Sequence, residues 1–244
     1  MPCIGAVKPA PPVCPRAKRG NLSSVKVSDV LSLPIELGAA IRHRRLFHPS
    51  GVLVRGRIER VAPAGEGLPM ESGDVIGRIS KGVGLPRATP DVAGLAWRTQ
   101  TDAGPWDVLL ASTGGGGLSR VLLRPAASWG DAFFSSLMPF GYNGGTWWVR
   151  ARLTTELDVP GLSLDAITGS VARGELAFDV EQAAGTGEFR PLARLSFTEV
   201  VPPDRDLSFD PTLNSAPGVD LLPGWLTTFR RSAYKRSRQG RDAE

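Results

Sequence analysis

From Gly51 onward the chain alternates apolar and polar residues in one short run after another: "VLVRGRIERVA" (52–62), "DVIGRISKG" (74–82), "DVAGLAWRTQT" (91–101) and "WDVLLAS" (106–112). A period of two sends successive side chains to opposite faces, which suits a half-buried strand and not a helix. The third and fourth runs are joined by the turn "DAGP", whose residue types favour a tight reversal. "TWWVRARLTTELDV" (146–159) reads as a long strand, and "GELAFDVEQA" (174–183) with "PLARLSFTEV" (191–200) as a hairpin across "GTGEF". Seven strands with short connections and no helices between them imply antiparallel neighbours in a barrel or sandwich. The 29 glycines and 21 prolines spread along the chain supply turns and disfavour long helices.

Helical signals are confined to the flanks. "VSDVLSLPIELGAAIRHRRLF" (27–47) has an early Ser or Asp cap and apolar residues at helical spacing, and "LLPGWLTTFRRSAYKRSRQGR" (221–241) shows a helical pattern after its Pro-Gly start. Residues 118–145 read as irregular, with one helical piece at "SWGDAFFSSLM" (128–138). Residues 1–25, "MPCIGAVKPAPPVCPRAKRGNLSSV", are Pro-rich, basic and expected to be a disordered arm, leaving 26–244 as a single domain. The arm lacks the continuous apolar core of a signal peptide, and no apolar run reaches the ~20 residues of a membrane span. Cys3 and Cys14, the two cysteines, form no CxxC and no metal spacing, so a reduced, cytoplasmic protein is expected.

A net charge of +5 suits a nucleic acid, an anionic membrane or an internal anionic ligand. "TGGGGLSR" (113–120) lacks the Gly-Lys-Ser/Thr of a phosphate loop. In "GRISKG" (77–82), Arg78 replaces the first glycine of a serine nucleophile elbow. His43 and His48 are the only histidines, too few for a zinc centre without cysteine partners. Arg230–Arg241 contains six basic residues and no acidic one. Taken alone, that is a solvated tail able to touch lipid headgroups or nucleic acid.

Five motifs, in order, give these residues a common meaning. "RLFHPSGVLVRGRIE" (45–59), "GRISKGVG" (77–84), "PDVAGLAWR" (90–98), "WDVLLAS" (106–112) and "LSFDPTLNSAPGVDLLPGWLTTFRRSAY" (207–234) resemble, across residues 45–241, the haem catalases and their shorter catalase-like relatives. The resemblance implies a mainly β (α+β) fold: an antiparallel eight-stranded catalase-like β-barrel with flanking helices and a C-terminal haem-ligating helix. The cofactor it implies is haem b (iron protoporphyrin IX), with Tyr234 as the proximal iron ligand. Tyrosine serves as an iron ligand in this class of haem protein, and Arg230, one helical turn before Tyr234, can donate to a phenolate on the same helix face. His48 is implied as the distal acid–base, since an imidazole titrates near neutrality. Ser80 would orient that ring, and Arg45, Arg78 and Arg241 would meet the haem propionates. Ser112 stands where the family carries a distal Asn.

The sequence ends soon after the implied proximal helix and is about half the length of a full catalase subunit. A haem more open to organic molecules is then expected, favouring a peroxidase that reduces hydrogen peroxide or organic hydroperoxides with a small organic reductant. A catalase and an allene oxide synthase-like rearrangement of hydroperoxides are rivals within the fold. A haem-free barrel binding a lipid or other apolar ligand is the rival from another class. A surface binder of membranes or nucleic acid is a weaker one. The expected partners are peroxide and the reductant, without nucleic acid; the basic tail offers peripheral membrane contact, and homo-oligomerisation stays open.

Overall fold

The computed structural model describes residues 50–82, 90–115, 119–157, 159–202 and 207–222. The N-terminal arm, the helical signals at 27–47 and 223–241, and Arg45, His48, Arg230, Tyr234 and Arg241 lie outside the described residues.

Strands β1 (Ser50–Arg60), β2 (Gly73–Lys81), β3 (Ala93–Thr101), β4 (Gly104–Thr113), β5 (Phe133–Ser135), β6 (Phe140–Tyr142), β7 (Gly145–Leu153), β8 (Leu176–Ala184), β9 (Arg190–Val201) and β10 (Asp220–Leu221) form one antiparallel sheet. It closes on itself because β7 pairs with β8 as well as with β5. The closed circuit β1-β2-β3-β4-β5-β7-β8-β9 is an eight-stranded barrel, and β6 and β10 extend it at one edge. Closure removes the unpaired edges that an open sheet would expose.

Turn chemistry sets the registers. Asn143 (φ 48°) and Gly144 (φ 74°) both occupy the left-handed region between β6 and β7, as a two-residue type I′ hairpin requires. At the β3–β4 turn the Thr101 hydroxyl donates to the Gly104 carbonyl at 2.8 Å.

Alternation then sorts the barrel into an inner and an outer face. Val54, Gly77, Trp97 and Val108 form one inward cross-strand row. Phe134, Phe178 and Phe197 meet edge to face at 6.0–6.2 Å, and all three are fully buried. A Cβ at Gly77 would stand 2.6 Å from the Phe197 ring, so this glycine makes room for the ring. At Gly56 the β1–β9 register shifts, and the Ser196 carbonyl presses where a Cβ would be. Eight strands leave an interior just wide enough for side chains to fill. Here the described inward side chains form one continuous core cluster.

The far end of the barrel is stopped by residues 61–72, whose Leu68 and Met70 are fully buried. The Arg60 guanidinium donates to the carbonyls of Ala62, Pro63, Glu66, Leu68 and Met70 at 2.6–3.1 Å. Gln182 accepts from the Leu68 N–H at 2.8 Å. These bonds satisfy a loop that has no ladder of its own.

Two local expectations change. The stretch 128–138 holds no helix; β5 runs through it, with Phe134 inward and Phe133 outward under Arg150 and Arg152. β7 ends at Leu153 rather than running on to 159, and a helix α1 (Leu164–Ala172) lies between it and β8. Ser163 caps α1 by accepting from the Ala166 N–H at 3.3 Å, and Gly174 (φ 70°) ends it. Ile167 and Val171, one turn apart, are its buried face.

Candidate functional site

Among the described residues, the alternation places Arg78 and Ser80 on the outer face of β2. The register gives their neighbours. Gly51 pairs with Ser80, Ser80 with Gly94, Gly94 with Ala111, and Ala111 with Ser135. One cross-strand row thus carries a glycine, a serine, a glycine, an alanine and a serine on five consecutive strands. With strands ~4.8 Å apart, the row spans roughly 19 Å along the wall. The next row is Leu53, Arg78, Ala96 and Leu109. Ser80 and Gly94 are buried.

Arg78 leans back across this surface. A Cβ at Gly51 would stand 2.8 Å from Arg78 Nε and 3.0 Å from Ser80 Cβ. Gly51 follows His48 by three residues, so a half-buried guanidinium lies beside the chain that leads out from the histidine. A flat wall of small residues with a cation at its margin suits a flat ligand bearing carboxylates.

The row ends at β7. Ser135 pairs with Arg150, and Arg150 with Glu181. The Arg150 guanidinium meets the Glu181 carboxylate at 2.6 Å and stacks 4.1 Å above Phe189. Arg120 lies over the same ring at 4.9 Å; burial, and then the Arg150 charge, lower its pKa from the ordinary guanidinium value.

Ser112 is not brought to this wall. It pairs with the inward Phe134, so it lies on the other side of β4, and Ala111 is the β4 residue in the row with Ser80. The Ser112 hydroxyl is also committed: it accepts from the Ala93 N–H at 3.0 Å and donates to the Arg124 carbonyl at 2.7 Å. Its work is to tie the 119–127 loop to the mouth of the barrel. The structure thus separates Ser112 from the row of Ser80, since a slip of one residue reverses the face.

Two rows along from the Ser80–Gly94 row lies a cluster that sequence reading passed over. Asp107 on β4 has no exposed surface. Arg98, its partner across the β3–β4 ladder, meets it through Nε at 2.6 Å and Nη2 at 2.7 Å. The Asp210 N–H and the Asn214 side-chain amide donate to Oδ2 of the same carboxylate at 2.7 and 2.8 Å. The Asp107 N–H in turn donates to the Asn214 carbonyl, and Arg98 Nη2 to the Ser208 carbonyl. The hydrogen bond to Asp107 raises the Arg98 pKa, against the opposing effect of burial. The segment 207–222 is so fastened to the outer wall, with Asp210 shaped into a turn by the Thr212 N–H and hydroxyl. Its end, β10, pairs with β6, and Leu222 stands twelve residues before Tyr234. "AWR" and "WD" were visible as motifs; their partnership with Asp210 and Asn214, over 100 residues away, had no local signal.

Among the described residues no group of His, Cys, Asp or Glu is placed to hold a metal ion, and no helix is long and apolar enough to cross a membrane.

This arrangement can be set beside known proteins. Superposition on a bacterial catalase gives a TM-score of 0.59 at 13% identity over 91% of this chain. The fold is catalase-like. A fungal catalase gives 0.56 at 10% identity over 90% of the chain, and catalase A from Saccharomyces cerevisiae gives 0.56 at 12% over 93%. The chain spans 62%, 64% and 67% of those three proteins respectively. No protein-family model matches the sequence, and no curated protein does. At such identities the likeness is one of architecture, and the barrel of β1–β5 and β7–β9 with its outer wall is what the catalase-like fold consists of here.

Proposed function

We propose that this chain is a haem-dependent oxidoreductase that reduces hydrogen peroxide or an organic hydroperoxide with electrons from a small organic molecule. The observation that carries the reading is the outer-wall row Gly51, Ser80, Gly94 and Ala111, with Arg78 at its margin. The row offers a flat face against which a macrocycle can lie, and Arg78 offers a cation for its carboxylate edge. The catalase-like fold adds weight, and the position of Gly51 directly after "RLFHPS" adds more.

In this reading Tyr234 would hold the iron as phenolate, with Arg230, four residues earlier, favouring that form. Arg45, Arg78 and Arg241 would hold the propionates. The bound haem supplies two-electron redox chemistry at its iron. The chain's own residues move the proton: His48 accepts one from the peroxide and returns it to the departing oxygen, with Ser80 fixing the ring. The balance is simple. The O–O bond breaks, the oxygen bearing the organic group departs as alcohol (as water from hydrogen peroxide), and the other oxygen ends as water. The organic reductant gives up two electrons and two protons.

The haem-reconstituted chain is expected to oxidise guaiacol when tert-butyl hydroperoxide is added. Release of oxygen from hydrogen peroxide alone, without dye oxidation, would assign it catalase activity instead. Consumption of a fatty-acid hydroperoxide without any reductant would assign it a rearrangement.

A further inference from the structure

Ser135 closes the small-residue row and is 1% exposed. Its Oγ has no hydrogen-bond partner within the protein. The ladder puts it on the outer face, between Ala111 and Arg150, and Arg150 is engaged by Glu181 and by the Phe133 and Phe189 rings. Trp97 Nε1 also lacks a partner, but Trp97 belongs to the inward row and faces the core. Ser135 is therefore a buried donor directed at the wall where Ser80 lies, three strands away.

We infer that the Ser135 hydroxyl is the ligand-side hydrogen-bond donor of this wall, serving an acceptor atom of the bound peroxide or of a small ligand in its place. The inference rests on the haem reading given above. It also assigns the polar role expected of Ser112 to a residue on the adjacent strand. A buried hydroxyl without a partner costs stability, and a hydroxyl kept at that cost is used by something that binds there. Ser112, by contrast, spends its hydroxyl on the protein itself. The two serines thus separate in opposite directions. Ser135→Ala should leave the melting temperature of the haem-free chain unchanged or raise it, because no protein bond is lost. Ser112→Ala should lower it by roughly 3–10 °C, because the buried Ala93 N–H and the part-buried Arg124 carbonyl lose their partner.

The test uses the full chain reconstituted with haem and titrated with cyanide, followed by its absorption spectrum, together with the KM for tert-butyl hydroperoxide. Ser135→Ala is expected to weaken cyanide binding and raise KM by roughly 5–10-fold, as loss of one hydrogen bond does, with the haem band retained. A retained haem band with unchanged cyanide affinity and KM would overturn the inference alone. A melting temperature lowered as far as in Ser112→Ala would overturn it too. Absence of a haem band in the unmutated chain would overturn the haem reading, and this inference with it.

Discussion

Asp107→Ala is expected to lower the stability of the barrel by about 3–5 kcal/mol, the range for breaking a buried ion pair by removing one partner. For a domain of this size that is a fall in melting temperature of roughly 6–20 °C. The loss has two parts. Arg98 keeps a mostly buried charge with the Ser208 carbonyl as its remaining acceptor and the Phe209 ring 5.6 Å from it. The Asp210 N–H and the Asn214 amide lose a charged acceptor. The segment 207–222 then stays attached through the bond from the Asp107 N–H to the Asn214 carbonyl and through β10. Asp107→Asn keeps the shape and one acceptor oxygen, so its cost should be smaller. Urea unfolding measures the totals, and hydrogen exchange locates them: protection at Asp210 should fall first in both variants. Equal protection in Asp107→Ala and the unmutated chain would show that the carboxylate does not hold this segment. The segment precedes Tyr234 in sequence, so under the proposed function weaker haem retention in Asp107→Ala is expected.

His48→Phe carries the largest expected effect on activity. A positioned general acid–base is worth about 10²–10⁴-fold in rate, and His43, the second histidine, stands five residues away in sequence without the family's motif around it. Guaiacol oxidation by the haem-loaded variant should fall by that factor. The phenylalanine keeps the ring's bulk and apolar body, so haem binding should persist, and the loss should appear in kcat rather than in haem affinity. Activity in His48→Phe within a few-fold of the unmutated chain would remove His48 from the chemistry.

The barrel was legible because its strands are short and half-buried. In "VLVRGRIERVA" the alternation of Val54, Gly56 and Ile58 with Arg55, Arg57 and Glu59 is the inside and outside of β1 written in order. The signal failed where both faces of a strand are apolar. Phe133 turns outward to Arg150 and Arg152 while Phe134 fills the core, so β5 read as a helical piece. α1 went unseen because its nine residues include Thr168 and Gly169, poor helix formers; Ser163 and Gly174 at its two ends were the available signs. The site was legible as motif and obscure as geometry. Arg78 and Ser80, two apart on one strand, could be placed on one face from sequence alone. Ser112 could not, because the motif fixes its neighbourhood to within a residue and the face changes with each residue. Ser135 lies outside every motif; only closure of the sheet puts it beside Ala111.

The central claim is that haem lies on the outer wall of the barrel with Tyr234 on its iron. The measurement that meets it most directly is the absorption spectrum of the full chain after haem reconstitution, compared with that of Tyr234→Phe. A stoichiometric Soret band is expected in the unmutated chain, and its shift or loss in the variant. A Soret band identical in both, or none in the unmutated chain, would contradict it.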